Sequence, residues 1–206
     1  MISNTQIEEN KTTFISLLRR VNREGMEDLI DFLGGSDFFV APASGRFHGN
    51  YDGGLCEHSL NVCKIALSNY KGLKAIKPSL DINEESIIVS ALLHDLCKIG
   101  FYKKAERWTK KDGQWESYQG YEIDDPFPFG HGEKSVLYVN QYIKLEIDEM
   151  LAIRWHMGYM DMSVGLDSSS RYAFQNSVNN YPLVTLIHTA DWMASTLIEE
   201  MVDHTA

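Results

Sequence analysis

The stretch Ser90–Gly100 reads Ser-Ala-Leu-Leu-His-Asp-Leu-Cys-Lys-Ile-Gly. Ile87, Ile88, Val89, Ala91, Leu92, Leu93 and Leu96 surround His94 and Asp95 almost all the way round. A helix apolar on most faces is a buried helix. A buried carboxylate left alone costs several kcal/mol, so Asp95 must be neutralised, hydrogen-bonded or metal-bound. One continuous helix is expected here, with Lys98 a turn beyond Asp95 on the same side. From this stretch alone, a reaction centre and a satisfied core His–Asp pair with a snorkelling lysine read equally well.

Working outward, apolar periodicity predicts further helices. Ile7 to Val21 and Met26 to Leu33 form an N-terminal pair, the first opening on a capping-box pattern at Thr5-x-x-Glu8 and the second ending at Gly34-Gly35. Residues 1–40 show no chemistry and are expected to be a packing layer on a core of residues 41–200, the whole of 1–206 forming one domain. Ala41–Gly54 is a loop in which Arg46 and His48 read as solvated. A helix starts at Leu55 with His58 in its first turn and Glu57 beside it. Another is opened by His131. A third spans Glu146–His156 and is ended by Gly158. Tyr159–Ser170 reads as a loop carrying Asp161, and 171–181 as a short helix. The last helix begins at Pro182, with His188 and Asp191 inside its apolar run. Between Phe101 and Asp125 the pattern changes to alternating aromatic and polar residues about the turn Lys111-Asp112-Gly113-Gln114. This predicts a β-hairpin insertion around 101–122. The fold class is therefore all-α, a helical bundle with one small hairpin.

Bulk properties narrow the function. A chain of 206 residues needs no covalent staples. A net charge of −10 argues against an extended nucleic-acid face, though not against a locally basic pocket. Lys103, Lys104, Arg107, Lys110 and Lys111 on the hairpin are the densest positive cluster. Three cysteines, Cys56, Cys63 and Cys97, form no C-x-x-C pair and fit free thiols in a reducing compartment. With no apolar signal core near the start and no run approaching ~20 apolar residues, a cytoplasmic, membrane-free protein is expected.

Six residues stand apart: His58, His94, Asp95, His131, His156 and Asp191, drawn from five predicted helices. Imidazole nitrogens mixed with carboxylate oxygens suit Mn, Fe, Ni or Zn, with Mg a further option. Two ions are expected. His58, His94 and Asp191 would hold one, His131 and His156 the other, with Asp95 bridging. Such a pair activates water and clamps a phosphoryl group, and Lys98 can neutralise developing charge.

The ordered set H…HD…H…H…D resembles the HD-domain superfamily of metal-dependent phosphohydrolases in its binuclear form. Gly53-Gly54-Leu-x-Glu57-His58-Ser-Leu followed by His94-Asp95-x-x-Lys98 is similar to the HD module of bacterial 3′→5′ exoribonucleases. The resemblance implies an HD helical bundle. It implies His58, His94, Asp95 and Asp191 as core metal ligands, and His131 and His156 as ligands of the second metal. Lys98 corresponds to the lysine that follows the dyad. Cys97 stands where many relatives have glycine, the Gly-Tyr-Pro signature of cyclic-di-GMP phosphodiesterases does not follow the dyad, and no oligonucleotide-binding barrel is expected, which argues against processive RNA degradation. The implied reaction is hydrolysis of a phosphomonoester or phosphodiester of a nucleotide or short oligonucleotide, with Asp95 and Lys98 catalytic. Lys104, Arg107 and Asp161 are candidate substrate contacts, and Arg154 and Arg171 weaker ones. Glu57 and His188 are expected behind the ligands. Two alternatives use the same ligands: a two-iron oxygenase of the superfamily, and a non-catalytic nucleotide-sensing module.

Overall fold

The computed structural model describes residues 2–160 and 168–202. Among these, eight α-helices accompany one two-stranded sheet. The helices are α1 (Asn4–Leu18), α2 (Met26–Gly35), α3 (Gly54–Ile76), α4 (Glu84–Leu93), α5 (His131–Asn140), α6 (Ile147–Arg154), α7 (Ser168–Asn180) and α8 (Pro182–Met193). The strands are β1 (Tyr102–Lys111) and β2 (Gln114–Ile123).

Helix α4 is the centre of the bundle. Every residue from Ser86 to Leu93 is buried, as its unbroken apolar composition requires, and α1, α3, α6 and α8 pack around it. Phe14 and Leu18 of α1 and Leu29 and Leu33 of α2 join the same apolar core as Val62, Leu92, Ile153 and Ile187. The N-terminal helices thus share the interior of the rest.

The structure corrects the local reading at several helix ends. The cap of α1 is Ser3, whose hydroxyl accepts from the Gln6 amide, and not Thr5. A reciprocal capping box does occur, at Glu146 and Glu149 on α6. Helix α7 begins at Ser168, so the end of the expected loop is helical.

The most consequential correction concerns the dyad. Helix α4 stops at Leu93, His94 caps it, and Asp95 leaves helical geometry at φ −106°, ψ 21° before a single 3₁₀ turn, Leu96–Lys98. Consecutive helical residues point about 100° apart. Unwinding at Asp95 lets two neighbouring side chains address one point, which a continued helix would not.

The hairpin pairs antiparallel from Tyr102↔Ile123 to Lys111↔Gln114. Asp112 and Gly113 both have positive φ, the conformation of a two-residue type I′ turn. Lys104 and Tyr121 both bond Asp52, tying the hairpin to the loop before α3. No helix among the described residues is long and apolar enough to cross a membrane.

Candidate metal centre

Asp95 is the hub. Its carboxylate is 2% exposed. Oδ2 accepts from Lys98 Nζ at 2.6 Å and lies 3.4 Å from His94 Nε2 and 3.7 Å from His58 Nε2. Oδ1 lies 2.8 Å from His131 Nε2 and 3.4 Å from His156 Nε2. The two oxygens therefore face different histidine pairs. Asp191 Oδ1 on α8 is 3.2 Å from His58 Nε2. His156 stands between the groups: its donor atom clusters with those of His94 and Asp191, and its ring centroid is 5.1 Å from that of His131. The six residues singled out in the sequence meet at one point in space.

Local structure explains the orientations. His94 and His156 each follow the end of a helix, where the last carbonyls lack intrahelical partners. Each uses one: His94 Nδ1 donates to the Ala91 carbonyl at 2.8 Å, and His156 Nδ1 to that of Ile153 at 2.7 Å. With the proton on Nδ1, Nε2 carries a lone pair directed into the centre. His131 opens α5, and its neighbour Gly132 lies against the Arg154 carbonyl so tightly that a Cβ would sit 2.2 Å from that oxygen. Gly158, at φ +53°, lies over the His188 ring, whose Nδ1 donates to the His156 carbonyl at 2.6 Å. His188 thus supports the backbone of His156.

The donor set fits a cation. His58 Nε2 and His94 Nε2 face each other at 3.2 Å, and two lone pairs at that separation repel unless a proton or a metal ion lies between them. His156 Nε2 is fully buried and makes no hydrogen bond among the described residues. Nitrogen and carboxylate ligands in this mixture match divalent transition metals. Burial alone would raise the Asp95 carboxyl; the Lys98 ammonium and the histidines more than offset it and hold it well below the usual carboxylate range. Burial likewise opposes charge on His58, but Asp191 and Glu199 raise it to about 10. His94 and His131 are pushed down by burial.

The centre opens into a cleft of about 440 Å³ lined by Lys98, Tyr102, Phe47, Met157, Met160 and Trp192 together with five of the six convergent residues. A larger groove between α3 and α8 lies away from these groups and has no such chemistry.

Other expected contacts fall elsewhere. Lys104 is paired with Asp52, and Arg107 lies along the hairpin beside Gly120; neither lines the cleft. Arg154 pairs with Glu133 at 2.6 Å and stacks on Trp155, and Arg171 is exposed on α7. Asp161 lies outside the described residues. Glu57 accepts from the Tyr51 hydroxyl instead of backing His58. That place belongs to Glu199, both of whose oxygens lie 3.0 Å from His58 Nδ1. His48, read as a solvated loop residue, lies over the His58 ring with centroids 4.9 Å apart, and burial first and the His58 charge next push it down to about 4. Neither belongs to the ordered H…HD…H…H…D set that singled out the other six. Cys97 Sγ lies 3.4 Å from His131 Nδ1, and all three cysteines are free and buried.

A buried cluster of imidazoles and carboxylates at the meeting point of a helical bundle defines a metal-binding helical protein. The HD domain family model matches residues 55–195, and the chain belongs to the HD domain family. Over 84 residues, 41% of its length, the chain is 38% identical to the dihydroneopterin 2′,3′-cyclic phosphate phosphodiesterase of Methanocaldococcus jannaschii. The match spans 31% of that relative. No solved structure matches the chain.

Proposed function

We propose that this protein is a metal-dependent phosphohydrolase that cleaves a phosphomonoester or phosphodiester in a nucleotide or similarly small phosphate ester. The observation that carries this reading is that the two oxygens of Asp95 face different histidine pairs, with Lys98 on the same carboxylate and a substrate-sized cleft in front. The relative acts, by its name, on a cyclic phosphate of a nucleotide-like pterin, which supports a small ester over a polymer.

His58, His94 and Asp191 would hold one ion and His131 and His156 a second, with Asp95 shared. When bound, divalent ions supply an activated water and charge stabilisation at phosphoryl oxygens. The protein's own groups do the remaining work. Asp95 stays ionised and is kept in place by Lys98. Lys98 is 8% exposed and lines the cleft, so its ammonium meets a phosphate oxygen in a nearly dry environment, where its charge is strongest. Phe47 and Trp192, both exposed at the cleft wall, offer ring faces to the apolar part of the substrate. Residues 1–206 would work as one domain.

The test is a screen of metal-stripped protein against bis(4-nitrophenyl) phosphate, nucleoside monophosphates and 2′,3′-cyclic nucleotides, with Mn, Fe, Ni, Zn and Mg each added back. Metal-restored turnover in wild type that is lost in Asp95→Ala supports the proposal. Undiminished turnover in Asp95→Ala rules it out.

A further inference from the structure

His94 and His156 solve their orientation with local backbone carbonyls because each lies just past a helix C-terminus. His58 cannot. It is the fifth residue of α3, near the helix N-terminus, where the groups without partners are amides, not carbonyls. Its Nδ1–H needs an acceptor brought from elsewhere in the chain.

The acceptor comes from beyond the segment that the family model covers. After α8 the chain makes a turn of π-helix, Ala194–Ile198, closed by the Glu199 amide on the Ala194 carbonyl at 3.0 Å. Glu199 then turns inward with its side chain 3% exposed, both oxygens 3.0 Å from His58 Nδ1 and one accepting from Asn61 Nδ2 at 3.1 Å. Among the described residues it pairs with no lysine or arginine. The segment that follows is fastened to the loop before α3. Asn50 Nδ2 donates to the Val202 carbonyl at 3.2 Å, the Val202 amide donates to Asn50 Oδ1 at 2.8 Å, and the Gly49 amide reaches the Glu200 carbonyl at 3.3 Å. Asn50 and Glu199 lie on either side of residues 55–195, the family segment.

We propose that Glu199 is the positioning residue of the metal centre and that residues 199–202 are the strap that delivers it. Accepting the His58 Nδ1 proton fixes the tautomer in which Nε2 presents its lone pair beside His94 Nε2 and Asp191. Partners of this kind behind a metal-binding histidine change affinity about 10–100-fold when removed. The inference rests on the metal-binding reading of the centre but not on the reaction proposed for it.

The experiment is titration of metal-stripped, full-length protein with Mn²⁺ by calorimetry, alongside thermal melting of the metal-free forms. Glu199→Ala should bind Mn²⁺ about 10–100-fold more weakly while melting like wild type without metal. Glu199→Gln retains a carbonyl that can accept from Nδ1 and should recover most of the affinity. Should Glu199→Ala fail to fold, Asn50→Ala, which releases the strap without touching the buried acid, should weaken Mn²⁺ binding in the same direction. Wild-type affinity in a folded Glu199→Ala or Asn50→Ala protein, or a loss in Glu199→Gln as large as in Glu199→Ala, overturns the proposal. A wild-type protein that binds Mn²⁺ yet hydrolyses no phosphoester defeats the proposed reaction and leaves this inference standing.

Discussion

Lys98 has two tasks at the residue scale, and they can be separated. Its ammonium bonds Asp95 Oδ2 and also lines the cleft. Lys98→Met keeps the aliphatic stem and removes the charge. It should lower kcat by about 10²–10³-fold with a smaller change in KM, since one preorganised charge facing a developing anion is worth that much. Steady-state kinetics on the best substrate of the screen checks it; a KM effect alone would place Lys98 in substrate binding only. His94, Asp95 and Asp191 were legible because a titratable side chain inside an apolar run has to be accounted for, and His58, His131 and His156 because they complete the ordered set with them. Glu199 and His48 were not. Glu199 stands in an acidic pair with Glu200, and His48 sits in a glycine-rich loop, settings where a solvated side chain needs no explanation. Their burial is created by tertiary contacts that no local pattern announces.

Helix ends make the site, and helix ends are where the sequence misled. The apolar run continues through Leu96 with no glycine or proline to mark the stop after Leu93, so the unwinding at Asp95 had no local signature. The approach of α5 to α6 was equally hidden, because Gly132 reads as an ordinary helical glycine until the Arg154 carbonyl is seen against it. Gly132→Ala must push the two helices apart. It should cost about 1–3 kcal/mol in denaturant unfolding, and it should weaken metal binding as well, because it displaces His131 from His156. A variant as stable as wild type would show that the contact is slack. The Arg23–Glu149 pair holds α6 against the turn before α2. Glu149 is fully buried and bonded by Arg23 Nη1 at 2.6 Å. Burial would raise its carboxyl, but Arg23 first and Ser86 next lower it below the ordinary value of 4.5. A carboxyl lowered in the folded state stabilises above its unfolded value, and that stability is lost as pH falls through the folded value. Unfolding free energy should therefore decline below about pH 4.5, and Glu149→Gln should flatten that decline in acid-dependent melts. An unchanged slope would exclude Glu149 as a source of acid sensitivity.

Five elements far apart along the chain meet at one carboxylate, so the assembled bundle, not any single motif, creates the donor set. Binding that requires the folded arrangement must stabilise it. A divalent ion at 100 times its dissociation constant should add about 2.7 kcal/mol to unfolding, and chelation should remove that gain. Melting curves with Mn²⁺ and with EDTA test this, and identical curves would mean that the centre holds no ion. At this scale the sequence reading served well for the helical bundle and the hairpin, whose periodicities differ sharply, and poorly for the strap and the cleft wall, which depend on chain ends and exposed rings meeting in space. The central claim is that Asp95 joins two histidine pairs into a metal-dependent hydrolytic centre. Its most direct test is the rate of bis(4-nitrophenyl) phosphate cleavage as Mn²⁺ is returned to stripped wild-type and Asp95→Ala proteins, both shown to be folded. Saturable recovery in wild type and none in the variant is the expected result; equal recovery in both would contradict it.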